Sequence, residues 1–215
     1  IPLRLVGSEM CIRDSTKPLQ GEDVMYALTI YRDAIQYIHD QTIRLMNQGY
    51  YPDQIVEMVE LPKEIKESPF LYEFYGTARW SIKSIFNGYL GWFNGNPSDL
   101  DPLSREDEAQ RFSNLIGGNE NLLRALEEAI DAKDMQWALQ LSDHLIALNF
   151  SNKKVNKLRK EALLFIGERS SNPNKRNYFL TSAIELDDGF EGFPRSEITK
   201  EGLSLIHISE PTRRR

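Results

Sequence analysis

His39 stands beside Asp40 in Tyr37-Ile38-His39-Asp40-Gln41. A carboxylate next to an imidazole raises the ring's proton affinity, and such pairs serve in general acid–base chemistry. Neighbouring side chains leave a helix about 100° apart, however, and do not face each other. A surface or interface histidine is therefore expected. Ser142-Asp143-His144 holds the residue types of a hydrolase triad, but triads are assembled in space and three consecutive helix residues cannot take that geometry. Tyr75 and Arg79 are four apart, which on a helix puts a phenol and a guanidinium on one face. Together they could hold a sulfate or carboxylate through charge-assisted hydrogen bonds. The alternative is an aromatic core helix with one arginine extended to solvent. Asp99, Asp101, Glu106, Asp107 and Glu108 make an acidic stretch without the glycine and closing bidentate glutamate of a calcium loop. A solvated loop and helix start is expected there.

The elements that must position these groups read as helices. Ala27, Tyr31, Ala34, Ile35, Ile38, Thr42, Leu45 and Met46 recur at spacings of three and four between Glu22 and Asn47, tracing one apolar stripe that Gly49 ends. Short helices are expected over residues 53–59 and 63–67, separated by Leu61-Pro62. Leu71 to Phe93 is the most aromatic segment and is expected to be one core helix, with Gly76, Gly88 and Gly91 tolerated where something packs against bare backbone. Asn94-Gly95-Asn96-Pro97 is a turn. Ser104 opens a helix that stops at Gly117-Gly118, and Asn119 is expected to cap the next, whose Leu122, Leu123, Leu126 and Ile130 form its buried face. Residues 135–148, 152–166 and 174–186 complete the set. No segment alternates as a strand would. The fold class is all-α, an antiparallel helical bundle with tetratricopeptide-like hairpins in its second half, although the repeat is degenerate.

Both ends of the chain are foreign to this pattern. Leu5 to Ser15 reads LVGSEMCIRDS and Leu203 to Arg213 reads LSLIHISEPTR. Back-translated, the two are opposite-strand readings of one DNA element that looks like a sequencing-library adapter. Residues 1–15 and 203–215 are accordingly read as adapter-derived, leaving 16–202 as the authentic domain, with natural sequence missing at both of its ends.

Removing the tails takes away five cationic and three acidic residues, so the net charge moves from −6 to about −8. No lysine–arginine cluster of the kind that displaces counterions from a duplex is evident, which argues against nucleic acid. No apolar run reaches the ~20 residues a membrane-spanning helix needs. Cys11 and His207 fall in the tails, and the two histidines that remain, His39 and His144, cannot assemble a histidine-rich zinc centre. A domain so poor in imidazole and thiol is not expected to activate water by itself. No cofactor is expected in the fragment.

The order of landmarks resembles one family. Tyr37-Ile38-His39-Asp40-Gln41-Thr42 and Asn47-Gln48-Gly49 are followed by Phe74-Tyr75-Gly76-Thr77 and by Gly88-Tyr89-Leu90-Gly91-Trp92-Phe93-Asn94-Gly95-Asn96-Pro97. Gly117-Gly118, Gln136-Trp137-Ala138 and Arg176-Asn177-Tyr178-Phe179 continue the series. The chain resembles the central dimerisation domain of alkylsulfatases in the metallo-β-lactamase superfamily. That resemblance implies a larger parent, a sulfuric ester hydrolase that converts linear primary alkyl sulfates to alcohol and sulfate. It further implies two zinc ions bound by a His-x-His-x-Asp-His motif outside this chain, a homodimer, and a periplasmic or secreted location. The family tyrosine that reaches the sulfate pocket corresponds to Tyr75, with Arg79 added from spacing alone. Trp92 and Phe93 are candidate anchors of the dimer interface. The fragment alone is expected to be inactive. A tetratricopeptide-like adaptor for other proteins' peptides, without catalysis, is the alternative.

Overall fold

The computed structural model describes residues 19–188. The two tails read as adapter translations, 1–15 and 203–215, lie outside these residues. All regular structure in the described residues is helical, and the chain divides into two compact units that meet in sequence at Pro102 and Leu103.

The first unit is built on α1 (Glu22–Asn47), with Glu22 and Asp23 in its first turn and Arg44 in its last, the arrangement the helix dipole favours. Gly49, at φ 84°, turns the chain out of α1. Its N–H meets the Met46 carbonyl at 2.9 Å and the Tyr50 N–H meets that of Leu45 at 3.2 Å, so the last orphan carbonyls are paired. Then come α2 (Pro52–Met58), α3 (Lys63–Lys66) and α4 (Ala78–Leu90), closed by a 3-10 turn at Pro97–Asp99. Helices α1, α2 and α4 pack on one another. Leu45, Ile55, Val56, Ile82 and Phe86 form one buried cluster, and Ile30, Ala34 and Ile65 a second.

The buried face of α1 differs from the expected stripe. Ala27, Ile30, Ala34, Thr42 and Leu45 are buried, whereas Tyr31 and Ile35 are exposed. The apolar arc of α1 is wider than its own unit covers. The aromatic segment also departs from expectation, since α4 takes up only Ala78–Leu90 of residues 71–93. Thr77 caps it, accepting the Trp80 N–H at 3.1 Å, and the Glu73 carboxylate accepts the Ala78 N–H at 2.7 Å. These bonds fix the start of the helix and leave Phe74 to Gly76 outside it. A Cβ at Gly76 or Gly88 would meet nothing within 4 Å, so neither marks a close approach; Gly91, at φ 77°, instead ends α4.

The second unit contains α5 (Arg105–Leu115), α6 (Asn119–Asp131), α7 (Met135–Ala147), α8 (Asn152–Arg169) and α9 (Pro173–Asp188). Ser104 caps α5 as expected, accepting the Asp107 N–H at 3.1 Å. Asn119 does not cap α6: Gly118, at φ 109°, holds that position, and the Asn119 side chain accepts the Ser113 hydroxyl. Helices α6, α7, α8 and α9 pack as consecutive neighbours, and α8 also touches α6. Their shared core includes Leu122, Leu126, Leu141, Leu145, Val155 and Leu163, each side chain contributing about 1.5–3 kcal/mol by leaving water. Gly167 is where α8 and α9 close up, since a Cβ there would lie 2.8 Å from Leu180 Cδ2.

Candidate functional site

Tyr75 and Arg79 do not share a helix face. Tyr75 sits ahead of the Thr77 cap and is 72% exposed, while Arg79 belongs to the first turn of α4. The Arg79 guanidinium bonds Glu57 of α2 at 2.6 Å. That hydrogen bond and the charge behind it hold the Glu57 carboxyl below its ordinary pKa. An anion arriving at Arg79 must displace or share with Glu57.

His39 and Asp40 are brought together, against the sequence argument. His39 Nδ1 lies 2.9 Å from Asp40 Oδ1, and Nε2 lies 2.8 Å from the Tyr89 hydroxyl of α4. The two Cβ atoms still diverge around α1, but both side chains are near solvent and free to rotate back toward each other. A carboxylate only accepts, so Nδ1 donates to Asp40, while Nε2 shares a hydrogen with the Tyr89 hydroxyl, accepting it in the neutral ring and donating in the protonated one. The result is a carboxylate–imidazole–phenol chain that latches α1 to α4. Sequence reasoning missed Tyr89, fifty positions from His39; no local pattern announces such a partner.

Ser142, Asp143 and His144 form no triad. Ser142 is buried and its hydroxyl donates to the Leu139 carbonyl at 2.7 Å. Arg159 of α8 donates to Ser142 Oγ at 2.6 Å, to Asp143 Oδ1 at 2.6 Å and to the Leu139 carbonyl at 3.2 Å. His144 turns away and stacks on Phe112, ring centroids 4.8 Å apart. The group clamps α7 to α8, and Arg159 was not singled out from sequence.

Trp92 and Phe93 follow the Gly91 cap with ring centroids 5.7 Å apart. Trp92 is largely exposed and Phe93 half-buried. Trp92 walls an open cleft of about 370 Å³ with Tyr51, Lys83 and Asn94. Asp99 is held by the Asn94 side-chain amide at 2.5 Å, which makes the acidic stretch a hydrogen-bonded turn at this point. Among the described residues, no group of three His, Cys, Asp or Glu side chains is placed to hold a metal ion, and no helix is long and apolar enough to cross a membrane.

Comparison with known proteins adds the family context. A family model described as alkyl sulfatase dimerisation matches residues 51–189. A linear primary-alkylsulfatase from Pseudomonas sp. is 39% identical over 200 residues, spanning 92% of this chain and 38% of its own length. An (R)-specific secondary-alkylsulfatase from Pseudomonas sp. is 30% identical over 200 residues, 92% of this chain and 30% of that protein. The solved structure of the stereoselective inverting sec-alkylsulfatase Pisa1 from Pseudomonas sp. superposes with a TM-score of 0.76 at 31% identity, covering 82% of this chain and 28% of that one. The chain therefore spans less than two fifths of the length of these relatives.

Proposed function

This chain belongs to the alkyl sulfatase dimerisation family, and from that premise we propose that it is the part of a larger linear primary-alkylsulfatase, residues 16–202 of this sequence, that pairs two subunits as a homodimer. The observation that carries this reading is the dimerisation family's match to residues 51–189, which spans α2 to α9. The 39% identical relative is named a linear primary-alkylsulfatase, which supports that substrate class for the parent. All the relatives compared above are sulfatases, which leaves the peptide-adaptor alternative without support.

The chemistry of the parent lies outside this chain. Zinc chemistry would supply a metal-bound hydroxide and a Lewis acid for the sulfate ester, but the described residues do not fit such a centre. His39 has both ring nitrogens engaged by Asp40 and Tyr89, and His144 lies flat on Phe112. The two zinc ions are assigned to the remainder of the parent. What this domain can contribute is subunit pairing and, at Tyr75, a phenol beside the sulfate, with Arg79 as a weaker contributor.

Genomic DNA upstream of Thr16 tests the assignment: it should encode, in the same frame, a His-x-His-x-Asp-His motif. An open frame without one removes the parent. Light scattering on this chain should report a dimer. In the complete enzyme, Tyr75→Phe should raise KM or lower turnover several-fold; unchanged kinetics would remove Tyr75 from the substrate site.

A further inference from the structure

The surface of α1 that its own unit leaves bare is apolar. Met25 is 67% exposed, Leu28 64%, Tyr31 49% and Ile35 66%. Spaced by three, three and four, they share one stripe, roughly a quarter turn round from the residues α1 buries. Together these four present on the order of 500 Å² of surface, within the range of the largest patch a monomer leaves open. That is more than half of the ~800 Å² each partner of a standard interface contributes. The charges within the stripe cancel, because Arg32 bonds Asp33 at 2.6 Å. Two copies laid face to face would therefore bring no net like charge together.

We infer that this stripe is a self-association face whose occupant is the same stripe of a second copy, crossed antiparallel about a two-fold axis near Tyr31. A two-fold makes one patch its own complement: Met25 of each copy lies toward Ile35 of the other, and the assembly closes at two. The inference rests on the dimerisation reading and goes beyond it, because the family match begins at Tyr51 and the whole stripe precedes it.

The experiment is sedimentation equilibrium on the full chain, wild type against Leu28→Glu/Ile35→Glu. Both positions are solvent-facing, so the helical circular dichroism spectrum should be unchanged, while four carboxylates meet across the two-fold. The dissociation constant should rise at least 100-fold. As a positive arm, Tyr31→Cys in a Cys11→Ser background should form an intermolecular disulfide on mild oxidation. A wild-type chain that stays monomeric at tens of micromolar overturns the dimerisation reading itself. A wild-type dimer that the double substitution leaves intact, without the Tyr31→Cys cross-link, keeps that reading and overturns the stripe, whose apolar surface then serves some other body.

Discussion

In the second unit, fourteen buried side chains from α6 to α9 form one continuous cluster, with Phe112, Leu158, Phe165 and Phe179 packed around it. The first unit divides its buried residues into a cluster of five and a cluster of three, and leaves Met25, Leu28, Ile35, Tyr72, Tyr75 and Trp92 largely in solvent. The polar contacts differ likewise. Arg159 in the second unit is sheltered and makes three bonds. The Arg79–Glu57 and Arg32–Asp33 pairs of the first lie open to water. The second unit exposes Leu115, Tyr178 and Ile184 too, so the two differ in how the core is gathered, one continuous cluster against two small ones, rather than in whether apolar surface is left uncovered.

The strongest way to break that contrast is to cut into each core. Leu126→Ala, at a fully buried position of the large cluster, should cost about 3–5 kcal/mol, toward the upper end for a truncated core leucine. Ile55→Ala, equally buried in the smaller cluster, should cost about 2–3 kcal/mol because fewer fixed neighbours surround the gap. Amide hydrogen exchange resolved by unit measures both, and equal losses would erase the distinction. Arg159→Met keeps the aliphatic stem but removes three hydrogen bonds; Asp143 can hydrate, so a loss of about 1–2 kcal/mol in urea unfolding is expected. No loss would make the clamp ornamental.

Lys133 holds a left-handed conformation, φ 61°, between α6 and α7, where a Cβ is strained. Lys133→Gly should add about 1 kcal/mol, seen as a raised Tm of the second unit; a lowered Tm would mean the lysine makes a compensating contact. The smallest effect belongs to the exposed pair of the first unit. Arg79 lowers the folded-state pKa of Glu57, so the stabilisation it gives is present above the unfolded value and is lost as pH falls through the lowered folded one. Arg79→Met should return the Glu57 titration, followed by NMR, to its ordinary carboxylate position with little change in stability. A Glu57 that titrates as before would dissolve the pair.

Much of the architecture was legible in the residues. The spacing of Leu122, Leu123, Leu126 and Ile130 placed α6, and Gly49 and Gly117-Gly118 placed helix ends, because apolar periodicity and left-handed glycines are local signals. The aromatic segment misled for the opposite reason. Eight aromatic side chains between residues 71 and 93 suggested a core helix, but the Glu73 and Thr77 caps decide where α4 begins, and several of those rings face water. Hydrophobic character reports that a ring prefers to be covered. It does not say whether the covering surface lies within the same chain.

Sequence by itself determined the helical class, the poverty in imidazole and thiol and the succession of family landmarks, since each depends on composition or on residues a few positions apart. Tertiary structure alone decided that His39 joins Asp40 to Tyr89, that Arg159 ties Ser142 to Asp143, and that half of the apolar arc of α1 stays bare. Those outcomes depend on which helix faces meet, and short-range spacing along a chain carries no record of a neighbour brought close only when distant segments pack.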